Sequence, residues 1–95
     1  MKIEFAAQVL DFVSSLAPAP RRALRQALRD LAQGKGDVSP LEGELEGLYR
    51  LRVGRYRVIF LYRTTAQKPQ VRCVFAEHRG IIYEVFAQHL HEHLE

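Results

Sequence analysis

Leu48-Tyr49-Arg50-Leu51-Arg52-Val53-Gly54-Arg55-Tyr56-Arg57-Val58-Ile59-Phe60-Leu61-Tyr62 is the stretch whose reading decides the fold. Apolar and polar residues alternate, break at Gly54-Arg55 and resume, which is the pattern of a hairpin with a two-residue turn that takes glycine first. With Gly54 and Arg55 as the loop, Val53 faces Tyr56, Arg52 faces Arg57, Leu51 faces Val58, Arg50 faces Ile59 and Tyr49 faces Phe60. Side chains alternate across a strand. Tyr49, Leu51, Val53, Tyr56, Val58, Phe60 and Tyr62 therefore share a core face, while Arg50, Arg52 and Arg57 share the other, followed by Ile59 and Leu61.

Like charges placed opposite each other on a sheet cost up to about 1 kcal/mol per pair. From Leu48 to Arg79 there are eight Arg or Lys and one acid, Glu77, so the local sequence offers the arginines little neutralisation. An external polyanion would relieve the cluster. The alternative is that the guanidinium groups splay into water and keep an open sheet face soluble.

Working outward, Met1 to Phe5 reads as a first strand. Val9, Phe12, Val13 and Leu16 fall at helical spacing within a first helix, Ala6 to Leu16. Leu16-Ala17-Pro18-Ala19-Pro20 ends it, and Pro20 suits the first turn of a second helix running to Ala32. That helix buries Leu24, Ala27, Leu28 and Leu31, and shows Arg21, Arg25 and Arg29, with Arg22 beside them, as a solvated face or a nucleic-acid contact. Gly34-Lys35-Gly36 closes it, and a loop is expected through Ser39-Pro40 to Gly47. A longer turn over Thr64 to Pro69 leads to a strand from Gln70 to Glu77, whose register a longer loop leaves open. From Ile81 or Ile82 to Leu94, a last helix carries Ile82, Val85, Phe86, Leu90 and Leu94 on one stripe. The order β-α-α-β-β-β-α predicts a single α+β domain over residues 1–95. Its antiparallel-rich sheet packs on a helical hairpin, with the C-terminal helix at the sheet edge.

Ninety-five residues are enough for one core, and a pI near 9.4 favours an anionic partner. The single Cys73 excludes an internal disulfide and reads as a small buried hydrophobe. No run suits a membrane span or a signal peptide, so a cytoplasmic protein is expected. His89, His91 and His93 suit a helix C-terminus; His89 and His93 have metal-ligand spacing but no third ligand in view. Leu94-Glu95 reads as native sequence or as a tag remnant.

Leu41-Glu42-Gly43-Glu44-Leu45-Glu46-Gly47-Leu48-Tyr49-Arg50-Leu51-Arg52, followed by Tyr56-Arg57-Val58-Ile59-Phe60, resembles the L-x-G-x-x-x-G-x-[YW]-[RK]-x-[RK] and Y-R-[VL]-[IV]-[FY] signature of the RelE/ParE toxin superfamily. His78-Arg79-Gly80-Ile81-Ile82-Tyr83 resembles its second signature, H-R followed by x-x-[IV]-Y. The resemblance covers nearly the whole chain and implies the toxin of a type II toxin–antitoxin pair, with a cognate antitoxin as partner and no metal or organic cofactor. The RelE branch implies a ribosome-dependent mRNA endoribonuclease, the ParE branch a DNA gyrase poison; a member that only binds its antitoxin is a third possibility. For the nuclease, the resemblance places the basic pair on Arg50 and Arg52, and catalytic positions on Arg57, His78 and Tyr83; Arg55 is expected to join the phosphate-binding group and Arg79 the catalytic one. Arginine does not give up a proton at usable pH, so proton transfer falls to His78 and base stacking to Tyr83. Glu77 stands where some members carry an arginine, and is a second base candidate or a partner for Arg79.

Overall fold

The computed structural model describes residues 1–94, with strands β1 (Lys2–Phe5), β2 (Asp37–Pro40), β3 (Tyr49–Val53), β4 (Tyr56–Thr65) and β5 (Lys68–His78), and helices α1 (Ala7–Ser15), α2 (Pro18–Ala32) and α3 (Ile82–Leu94). The sheet order is β1-β5-β4-β3-β2, parallel between β1 and β5 and antiparallel elsewhere. The hairpin of β3 and β4 has the register expected from its sequence, from Val53 opposite Tyr56 to Tyr49 opposite Phe60. Gly54 takes φ 56°, the positive value that this turn needs at its first position.

The core face lies under α1 and α2. Leu51, Val58 and Phe60 meet Val9, Val13, Leu24, Leu28 and Leu31 there, with Val71, Cys73 and Ala76 from β5. Each fully buried large aliphatic or aromatic side chain contributes about 1.5–3 kcal/mol. On the other face α3 sets Ile82 and Phe86 against Ile59 and Phe75, with Leu41, Leu45, Leu48, Val85 and Leu90 packed around them. The side chains of His93 and Leu94, and all of Glu95, lie outside the described residues, and with them the end of the apolar stripe, the His89–His93 pair and the reading of Leu94-Glu95. Among the described residues no helix is long and apolar enough to cross a membrane.

Three local expectations are corrected. The second helix begins at Pro18 rather than Pro20, with proline in its first turn. The loop expected after Gly36 contains strand β2, paired from Asp37 opposite Arg52 to Pro40 opposite Tyr49, and a 3-10 turn at Gly43–Leu45. Gly36 lets β2 approach closely: its φ is 126°, and a Cβ there would lie 2.9 Å from Leu51 Cδ1. The turn between β4 and β5 is two residues, Ala66 and Gln67, both left-handed at φ 51° and 66°. Such a conformation costs a residue with a side chain roughly 1–2 kcal/mol. Replacing Ala66-Gln67 by Asn-Gly should therefore raise stability by about 1–2 kcal/mol, measured as a higher urea midpoint at unchanged slope.

Gln8 finishes the sheet where β1 stops. Its Nε2 donates to the Ala76 carbonyl at 2.7 Å and its Oε1 accepts the Ala76 N–H at 2.8 Å. A side-chain amide thus stands in for the next peptide of the parallel strand and closes an edge that would otherwise invite pairing. Nearby, burial pushes the Cys73 thiol up to about 12 from 9.0. The folded state thus favours the neutral thiol, and this contribution is kept below pH 9 and lost as pH rises towards 12. Cys73 should resist alkylation at pH 8 in the folded protein and react at once in denaturant.

Candidate nucleic-acid interface

Arg50 and Arg52 on β3 and Arg57 on β4 share the face opposite the helical hairpin, next to α3, as strand alternation requires. Each is held differently. Arg50 is half-buried; its Nη2 donates to Ser39 Oγ on β2 at 3.0 Å, while its buried Nε has no hydrogen-bond partner. Arg52 is more exposed, with its Nε 3.9 Å from Asp37 Oδ2. Arg57 turns back towards the hairpin loop, where Nη1 donates to the Gly54 and Tyr56 carbonyls, each at 2.8 Å. The expectation that the arginines lack carboxylates is corrected in part: Asp37 arrives from β2, outside the stretch from Leu48 to Arg79. An exposed pair at that distance contributes little.

Arg57 is the electrostatic centre. Burial lowers its pKa first, and the charges of Arg52, Arg50 and Arg79 lower it further, in that order, with Tyr83 acting in the opposite sense. Five of the residues expected at a site thus share one field. Arg79 is brought in by backbone: its N–H donates to the Arg55 carbonyl at 2.8 Å, fastening the end of β5 to the turn of the β3–β4 hairpin. Arg55 itself is exposed on that turn, and Tyr83 is 41% exposed in the first turn of α3.

His78 is not in this group. It pairs across the sheet with Tyr56, and its ring lies 5.1 Å from that of Tyr56 and 5.7 Å from that of Phe12, on the α1 side. The cause is a bulge. Counted from the Ala66-Gln67 turn, regular pairing would put Val74 opposite Ile59 and Glu77 opposite Tyr56. Instead, Phe75 pairs with Ile59 and Cys73 with Phe60, so Val74 is the extra residue. That one insertion exchanges the faces of Glu77 and His78. Glu77 now stands opposite Arg57, with its Oε1 accepting the His78 N–H at 3.0 Å rather than pairing with Arg79.

Sequence reasoning missed Ser39 and Asp37, which position Arg50 and Arg52. Their signal is faint: two polar residues at spacing two in a stretch rich in turn formers. The arrangement can grip an anion with several guanidinium forks from one side, and Tyr83 offers a ring beside them.

No protein-family model matches the chain, and no curated protein matches it. Solved structures do. The RelE–RelB complex from Pyrococcus horikoshii OT3 matches with a TM-score of 0.61 and 31% identity, covering 83% of this chain and 94% of that one. The RelBE2 toxin–antitoxin complex from Mycobacterium tuberculosis matches at 0.65 and 26% identity, over 82% and 90%. A YoeB/ParE toxin from Agrobacterium tumefaciens, at 0.59 and 17% identity over 83% and 99%, shares the fold. The hairpin signature, the five-stranded sheet on its helical pair and the 31% identity to an archaeal RelE converge: the chain belongs to the RelE/ParE superfamily of toxin–antitoxin toxins.

Proposed function

We propose that this protein is a ribosome-dependent mRNA endoribonuclease, restrained by a RelB-like antitoxin such as those in the complexes of its relatives. The observation behind this reading is the field around Arg57, where Arg50, Arg52, Arg79 and Tyr83 act on one guanidinium near the surface. Like charges are gathered there at a cost that a polyanion removes. In the reaction, the ribose 2′-oxygen attacks the adjacent phosphorus and the bond to the 5′-oxygen breaks. The products are a 2′,3′-cyclic phosphate and a 5′-hydroxyl. Arg57 and its neighbours hold the phosphate and stabilise the added negative charge of the transition state, and Tyr83 stacks on a base. The 2′-hydroxyl proton goes to a base and the leaving oxygen takes a proton from an acid. Glu77 shares Arg57's face, whereas His78 lies across the sheet beside Tyr56 and Phe12.

A second reading has its own observation: His78 faces Phe12 and Tyr56 rather than the arginines, as suits a gyrase poison that needs no proton shuttle. The test is induction in cells with mapping of mRNA 5′ ends, beside a supercoiling assay with purified protein and gyrase. In-frame cuts that weaken by about 10²–10⁴ in Glu77→Gln or His78→Gln support the nuclease and identify its proton carrier. Gyrase inhibition that survives both substitutions, without mRNA cuts, supports the poison and overturns the nuclease.

A further inference from the structure

The same face carries a second basic group, away from Arg57. Beyond Phe60, where pairing with β3 ends, β4 and β5 continue as a ribbon to the Ala66-Gln67 turn, and residues 62–69 are all exposed. Alternation puts Leu61, Arg63 and Thr65 on the Arg57 side. Opposite them stand Arg72, Gln70 and Lys68, and β1 adds Lys2 beside Gln70 and Glu4 beside Arg72. Glu4 is committed to Arg72 at 3.3 Å. The row Lys2–Gln70–Arg63 contains no carboxylate, and its central amide is buried with an oxygen that has no partner. Lys2, Arg63 and Lys68 are exposed. Six residues separate Arg63 from Arg57, about 20 Å along a strand. Between them α3 covers Ile59, so the two cationic groups are separate contacts.

We propose that Lys2, Arg63 and Lys68 form a second contact surface, and that its ligand is the phosphate backbone of a base-paired RNA segment. The choice of RNA rests on the function proposed above; the choice of a paired segment does not. Single strands are held by aromatic rings on which their bases stack. Tyr83 supplies such a ring beside Arg57, but among the described residues this end of the face has none, because Tyr62 points to the opposite side, against Tyr49 and Phe60. Cations without a stacking platform suit a helix whose bases are already turned inward.

The test is fluorescence anisotropy of the full chain with an RNA duplex of about 16 base pairs, over a series of salt concentrations. Arg63→Gln combined with Lys68→Gln should weaken binding about tenfold at low salt and flatten the slope of log K against log salt by roughly 2. Lys35→Glu, which changes net charge by the same amount in the loop after α2, should leave the slope as it was. Lys2→Gln, measured alone, should flatten it by about 1 and keeps the test decisive if the double variant melts early. An unchanged slope in the ribbon variants, or an equal loss in Lys35→Glu, would overturn the proposal. Equal dependence on Arg63 and Lys68 for a short single-stranded RNA would overturn its paired ligand, and tighter binding of duplex DNA its choice of RNA. Duplex binding through the ribbon by a protein that cuts no mRNA would count against the nuclease alone.

Discussion

Arg57→Gln should lower mRNA cleavage by about 10²–10³ while leaving the protein as stable as before, or slightly more so at low salt. The two halves of this expectation have one cause. Burial and the charges of Arg52, Arg50 and Arg79 depress the Arg57 pKa, so the folded state disfavours the charged form. For a base with a lowered pKa, that penalty is fully present at neutral pH and disappears only as pH rises through the folded value, far into the alkaline range. Removing the charge at pH 7 removes the penalty. Against this stands the loss of two hydrogen bonds, to the Gly54 and Tyr56 carbonyls, which near the surface are modest in net worth. An activity that collapses while the melting temperature holds is the signature of a residue kept for binding. Arg57→Lys separates charge from geometry: it keeps the charge and loses the planar fork that suits two phosphate oxygens, and should recover only part of the activity. Cleavage of programmed ribosomes and thermal melting at two salt concentrations measure both halves. Full cleavage by Arg57→Gln would remove Arg57 from the centre of the site.

How much of this was legible in the chain depends on what fixes each element. The β3–β4 hairpin was readable residue by residue, because Gly54 marks the turn and a two-residue loop leaves one register. The arginine face follows from that register. Strand β2 was not readable: Asp37-Val38-Ser39-Pro40 has one large apolar residue and a proline at an edge, and it is a strand because β3 pairs with it. The β4–β5 turn was hidden because Ala66 and Gln67 lack the residue types that such turns favour. The costliest gap was the bulge at Val74. No residue type announces it, yet it decides whether Glu77 or His78 faces the arginines. The arginine cluster was thus visible in the sequence, and which of Glu77 and His78 shares its face was not.

Phe86→Ala should release α3 from the sheet without unfolding the rest. Phe86 is 2% exposed and packs with Ile59, Phe75 and Ile82 in a cluster distinct from the main core. Its ring meets that of Phe75 with centroids 5.4 Å apart. Truncating a buried phenylalanine costs about 3–5 kcal/mol, comparable with the roughly 3–6 kcal/mol that Ile82 and Phe86, the buried side chains α3 brings to the cluster, supply together. The core under α1 and α2, around Phe60, Leu51 and Leu24, shares no residue with it. Hydrogen exchange should therefore show the α3 amides losing protection by two or more orders of magnitude, while those of β3 and β4 near Leu51 and Val58 keep theirs. The functional consequence follows from Tyr83, which α3 holds within the field of Arg57. With the helix loose, RNA cleavage should fall in parallel with Tyr83→Ala, and adding Tyr83→Ala to Phe86→Ala should cost little more. Fully additive losses would mean that α3 serves the site by some route other than placing that ring.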